Sequence, residues 1–130
     1  MTAWYGVFML KIDIIPALKD NYIYFLKCEE SGKTAVVDPG EAKPVIDYLE
    51  EHSEKLDFIL NTHHHWDHTN GNKKLKEKYK AKLVAFEGDA HRIDDIDIPV
   101  KAGVPFVLGE DKAGVIEVPG HTLGHIAFHF

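Results

Sequence analysis

The sequence predicts an α/β sandwich in which helices lie outside packed sheets. Three observations carry this expectation. Short apolar runs bounded by turn residues recur along the chain, two helix-period stretches are interleaved with them, and the composition is that of an ordinary packed domain: 130 residues, 45% hydrophobic and 28% charged. The length suits one domain with enough residues to bury a core. Periodicity alone leaves several α/β folds open.

The elements follow in order. Lys11–Ile15 and Tyr22–Lys27 read as strands, with Pro16 to Asn21 turning between them. Ser31-Gly32 marks a turn before a strand at Thr34–Val37, which Asp38-Pro39-Gly40 closes. Pro44 suits the first turn of a helix whose apolar stripe is Val45, Ile46 and Leu49. Residues 56–60 form a short apolar run expected to be a buried strand. Residues 72–80 read as a second helix with Leu75 and Tyr79 on one side, and Lys82–Phe86 as a strand. The stretch 87–103 reads as irregular and polar. Val104–Leu108, Val115–Val118 and His125–Phe130 are the last strands, with a hairpin loop from Gly109 to Gly114. There is no internal repeat, low-complexity tract or interdomain linker.

A net charge of −6 argues against a general nucleic-acid binder. The single cysteine, Cys28, excludes an internal disulfide, fits a reducing compartment and is expected to be a small buried residue. The apolar stretch Ala3–Leu10 is too short to span a bilayer, and it lacks the basic flank and cleavage site of a secretory signal. No membrane partner is expected. A cytoplasmic location is the default, with a mitochondrial one left open. G-x-S-x-G, G-x-G-x-x-G and P-loop patterns are absent, so neither a serine hydrolase nor a nucleotide cofactor is indicated.

The most informative segment is Thr-His-His-His-Trp-Asp-His at residues 62–68. It contains H-x-H-x-D-H, formed by His63, His65, Asp67 and His68, directly after the apolar run at 56–60. In extended chain, residues two apart point the same way. His63 and His65 can then grip one cation while His64 points elsewhere. Asp67 and His68 are adjacent and diverge, so they can supply a neighbouring ion. Such nitrogen and oxygen donors suit zinc, and iron or manganese also accept them. The bland alternative is a polar loop in a chain that holds nine histidines. The ordered spacing after a strand favours metal. Pro-Gly-His-Thr at 119–122 is a second signal, and together the two point to a site that activates water.

The segment Asn61-Thr-His-His-His-Trp-Asp-His-Thr-Asn-Gly-Asn72 resembles the metallo-β-lactamase superfamily, and within it the glyoxalase II (hydroxyacylglutathione hydrolase) branch. Trp66, Gly71-Asn72 and Pro16-Ala-Leu-Lys-Asp-Asn-Tyr22 carry that preference. Val36-Val37-Asp38-Pro39-Gly40 and Pro119-Gly-His-Thr-Leu-Gly-His125 match further family segments in register. The resemblance runs from about residue 9 to residue 130, and residues 1–8 read as an N-terminal extension. It implies the metallo-β-lactamase αββα sandwich, truncated to its N-terminal portion. It also implies His121 as a further ligand beside His63 and His65, with Asp67 and His68 serving a second zinc. Iron or manganese is a possible substitute.

The implied reaction is hydrolysis of a glutathione thioester such as S-lactoylglutathione to glutathione and a 2-hydroxy acid, in methylglyoxal detoxification. The nucleophile is metal-bound water, with no catalytic side chain and no organic cofactor. A bridging aspartate, a final histidine and the glutathione-binding helices of the family lie beyond the matching stretch. One metal is therefore expected to bind more tightly than the second, with poor turnover from this chain alone, and a monomer is expected. The alternatives are another superfamily hydrolase such as a lactonase, a persulfide dioxygenase, or a non-catalytic metal-binding fragment.

Other residues are read as structural. The lysines at 73, 74, 76, 78, 80 and 82 fit a solvated face better than an anion patch. Asp94, Asp95 and Asp97 lack the Gly and Glu of a calcium loop and read as solvated. His52 ends a helix, where a cation complements the dipole. His91 shows no partner, and His125 and His129 read as structural. Asp38 is expected near-buried, orienting a ligand histidine.

Overall fold

The computed structural model describes residues 2–5, 8–17, 21–62, 69–90, 93–108, 111–117 and 126–129. Seven strands form one mixed sheet in sequence order: β1 (Thr2–Tyr5), β2 (Phe8–Ala17), β3 (Asn21–Cys28), β4 (Thr34–Val37), β5 (Phe58–Leu60), β6 (Lys82–Phe86) and β7 (Ile98–Val100). β1 to β4 pair antiparallel. β4 to β7 pair parallel. Parallel neighbours need crossovers. Helix α1 (Ala42–Glu51) links β4 to β5, and α2 (Asn72–Tyr79) follows the loop that leaves β5. A second sheet holds β8 (Phe106–Leu108), β9 (Asp111–Glu117) and β10 (Ile126–His129), with β9 in the middle and antiparallel to both.

The large sheet is buried on both faces, as expected of strands with parallel neighbours. Alternate residues divide between two clusters. Ile23, Phe25, Val36, Ile59, Leu83 and Ala85 pack under the helices with Val45, Leu49 and Leu75. Leu10, Leu26, Cys28, Ala35, Leu60 and Val84 pack on the other face with Val100, Phe106 and Leu108. Phe106 joins the layers by edge contacts with Phe58 at 5.3 Å and Phe128 at 6.3 Å between ring centroids. Each fully buried Leu or Phe contributes on the order of 1.5–3 kcal/mol. Helices on one face and a second sheet on the other make the αββ portion of the expected sandwich. At one corner of the large sheet Ile14, Tyr22 and Tyr24 are 56%, 58% and 42% exposed.

Local chemistry explains the boundaries. Pro44 lies in the first turn of α1, as its fixed φ allows. The helix ends at His52, whose Nδ1 lies 2.9 Å from the Tyr48 carbonyl oxygen and whose ring stacks on Tyr48 at 4.1 Å. Tyr48 donates its hydroxyl to Asp13, tying α1 to β2, and burial pushes this phenol well above its usual range. Asp57 falls outside β5: its carboxylate accepts from Thr34 N at 3.0 Å, so it braces the start of β4. Helix α2 ends on Lys80 in the left-handed region, φ 59°, with its N–H donating to the Lys76 carbonyl.

Three expectations change. The stretch 87–103 contains a 3₁₀ turn (Glu87–Asp89) and the strand β7. Pro99 disguises this strand, because proline is tolerated where a strand lies at the sheet edge. β9 begins at Asp111, and Leu108 pairs with Asp111, so only two residues connect β8 to β9 rather than a loop to Gly114. The strand expected from Lys11 is β2, which starts at Phe8, and Thr2–Tyr5, inside the expected extension, pairs with Phe8–Lys11.

Candidate metal centre

The ligand-bearing segment leaves the carboxyl end of β5, between its parallel neighbours β4 and β6. Sites in such sheets gather at the carboxyl ends of strands. His63, His65, Asp67 and His68, and also His121, lie outside the described residues. His91, His125 and the His129 side chain do too. Among the described residues, no three His, Cys, Asp or Glu side chains converge on a metal position. What the structure describes is the frame that holds both ends of the His63–His68 segment.

At the entry, the Asn61 N–H donates to the Val84 carbonyl at 2.9 Å, and the Asp38 N–H donates to the Leu60 carbonyl at 2.8 Å. Thr62 then donates twice to one carboxylate: its N–H reaches Asp38 Oδ1 at 2.7 Å, and its hydroxyl reaches Asp38 Oδ2. Asp38 is 9% exposed and adopts φ 54°, a left-handed conformation that Asp tolerates better than most residues. The expected burial of Asp38 is therefore found. Its described partner is Thr62, immediately before His63, so it fixes the chain from which that side chain departs.

At the exit, the Gly71 N–H donates to the Pro39 carbonyl at 2.7 Å. A Cβ at Gly71 would meet Pro39 O at 2.6 Å and Ala42 N at 2.9 Å, so only glycine permits this approach. Consecutive residues, Asp38 and Pro39, thus hold opposite ends of the segment. A second connection joins the ends directly. Asn61 Nδ2 donates to Asn72 Oδ1 at 3.2 Å, and Asn72 Nδ2 donates to Asn61 Oδ1 at 2.6 Å. Both side chains are buried, at 1% and 8% exposure. Nothing in the sequence pattern flagged this pair; the available signal was an Asn on either side of the histidine motif.

A cleft of about 490 Å³ opens beside the exit, between Thr69, Asn70, Lys73 and Lys76 on one side and Ile93 to Asp95 on the other. Lys76 bonds the Asp95 carbonyl at 2.5 Å and pairs with Asp97 at 2.9 Å. The lysines at 73, 74, 78, 80 and 82 are exposed, as a solvated face requires. Asp94, Asp95 and Asp97 are exposed, in keeping with the solvated reading, and Asp97 is engaged as well. It accepts from Leu83 N at 2.8 Å, and this bond, then Lys76, holds its carboxyl below the usual carboxylate range.

The chain belongs to the metallo-β-lactamase superfamily, whose sequence profile matches residues 18–130. Within that superfamily it is similar to proteins named hydroxyacylglutathione hydrolase. It is 49% identical over 123 residues to that of Pelagibacter ubique (strain HTCC1062), a match covering 93% of this chain and 51% of the relative. It is 47% identical over 121 residues to that of Rhodospirillum rubrum, covering 93% and 47%. The chain spans about half the length of the curated relatives it matches. Among solved structures, the BLEG-1 B3 metallo-beta-lactamase superposes with a TM-score of 0.79 at 19% identity, covering 94% of this chain and 67% of that one. That likeness establishes the fold. Among the described residues, no helix is long and apolar enough to cross a membrane.

Proposed function

We propose that the protein to which this chain belongs hydrolyses the thioester of an S-(2-hydroxyacyl)glutathione, such as S-lactoylglutathione, releasing glutathione and a 2-hydroxy acid. The observation that carries this reading is the 49% identity to a hydroxyacylglutathione hydrolase across 123 residues that include the whole histidine motif. The donor set fits a metal: imidazoles and one carboxylate, on a segment held at both ends by bonds of 2.7 Å to neighbouring residues. His63, His65 and His121 would hold one zinc, and Asp67 and His68 would contribute to a second. When bound, the metal supplies Lewis acidity and brings the ionisation of water near neutral pH.

The chain's own residues supply position. Asp38 fixes the backbone immediately before His63, and the Pro39 carbonyl fixes the chain three residues after His68. Rigid placement of donors before a metal arrives is what a precise site needs. No serine or cysteine nucleophile is required, and Cys28 is buried away from solvent.

The test is direct. Zinc-loaded protein should release free thiol from S-lactoylglutathione, and His63→Ala, His65→Ala or His121→Ala should abolish release and zinc uptake together. Retained turnover after removal of all three histidines would overturn the reading. A panel of lactones and β-lactams run beside the thioester distinguishes other superfamily activities.

A further inference from the structure

We propose that the buried Asn61–Asn72 carboxamide pair is a positioning device for the metal centre: it sets the span of the ligand-bearing segment and thereby the affinity and geometry of the site. The inference rests on the metal reading above. Its residues bracket every position from 62 to 71, and the two reciprocal bonds, 3.2 and 2.6 Å, join the end of β5 to the first residue of α2.

Loop closure alone does not call for this pair. The segment's ends are already held, by the Asp38 carboxylate at Thr62 and by the Pro39 carbonyl at Gly71. Nor does the core call for it, because two apolar side chains of similar size could fill the space without burying four polar atoms. What an amide pair adds is direction. Apolar surfaces slide over one another, whereas a head-to-head amide pair has one preferred separation and orientation. Asn61 lies two residues before His63, and Asn72 four residues after His68. A shift between them changes the span that residues 62–71 must bridge.

The test uses the chain with cobalt(II) as the probe, reading affinity by chelator competition, the visible absorption of the bound ion, and thermal unfolding without metal. Asn72→Ala removes both reciprocal bonds from the buried Asn61 amide, so both stability and affinity should fall. The double variant Asn61→Leu/Asn72→Leu removes both amides and keeps the volume, so the fold should persist. Cobalt affinity should still drop about 10- to 100-fold with an altered spectrum. Val45→Ala, in the core under α1, serves as the stability control and should leave affinity and spectrum unchanged.

Native affinity and spectrum in the double variant would overturn the positioning role alone. An equal loss of affinity in Val45→Ala would do the same, since stability would then be the cause. If the unmodified chain takes up no cobalt, the metal reading falls and this inference falls with it.

Discussion

Replacing Gly71 by alanine should be among the most damaging single-methyl additions in this chain. Gly71 has φ −86° and ψ −7°, ordinary helical values, so backbone strain is not the reason. Space is. The new carbon would lie 2.6 Å from the Pro39 oxygen, 2.9 Å from Ala42 N and 3.0 Å from Glu41 C, against an ordinary contact of at least 3.4 Å. All three obstacles are backbone, so no rotamer change relieves them. The start of α2 and the 38–42 turn must separate by about 0.8 Å, the difference between 3.4 and 2.6 Å. That movement breaks the 2.7 Å bond from Gly71 N to Pro39 O. Overpacking costs about 1–3 kcal/mol, and the lost hydrogen bond about 1 kcal/mol. A total near 3 kcal/mol corresponds to about 10 °C in Tm for a chain of this size.

Urea unfolding of the metal-free chain measures the cost, and zinc titration should show affinity falling with it. Gly32→Ala is the matched control: φ is 76° and nothing lies within 4 Å of its Cβ position, so it should cost only about 1 kcal/mol of left-handed strain and leave zinc affinity alone. A Gly71→Ala chain within about 0.5 kcal/mol of the original would refute the contact argument, since changes that small are typical of surface substitutions.

Further outcomes are expected. Asp38→Ala removes both acceptors from Thr62 and should cost about 2–3 kcal/mol and lower zinc affinity at least tenfold, measured by competition with a chelator. Asp97 is held below its ordinary value of 3.8 first by Leu83 N–H and then by Lys76, so on acidification the unfolded chain protonates first. Its contribution is complete above that value and is lost as pH falls through the folded pKa. The stability advantage over Asp97→Asn should therefore shrink below about pH 4 in pH-dependent urea melts. A chelator should lower the Tm of zinc-loaded chain, because metal at about one hundred times its Kd stabilises by about 2.7 kcal/mol; an unchanged Tm would mean that no zinc had been bound.

Much of the scaffold was legible from local pattern. Thr34–Val37 and Lys82–Phe86 were readable because each is a short apolar run with a sharp turn on one side, and both helices were readable from their stripes. β7 was not, because Ile98-Pro99-Val100 owes its strand conformation to β6 beside it rather than to its own propensity. β9 was misread at its start because Asp111, Lys112 and Gly114 are poor strand formers that pairing with β8 and β10 overrides. The candidate donors stood out because histidine spacing is a one-dimensional signal; that spacing named them without describing their frame. Asp38, Pro39, Gly71 and the two asparagines meet only after the β4–β5 crossover forms, and no window of sequence contains that meeting.

The seam at β4, antiparallel to β3 and parallel to β5, separates two regimes of contact order. β1 to β4 are joined by short turns and close locally, whereas β5 must return past α1 to find β4 and β6 past α2 to find β5. Local pairings form faster than distant ones. Amides of β2 and β3 should thus gain protection before those of β5 and β6 in pulse-labelled hydrogen exchange, which simultaneous protection would contradict. The histidine segment belongs to the later half. The nascent chain accordingly carries its histidine motif before Asp38, Pro39, Gly71 and the two asparagines have met to frame it.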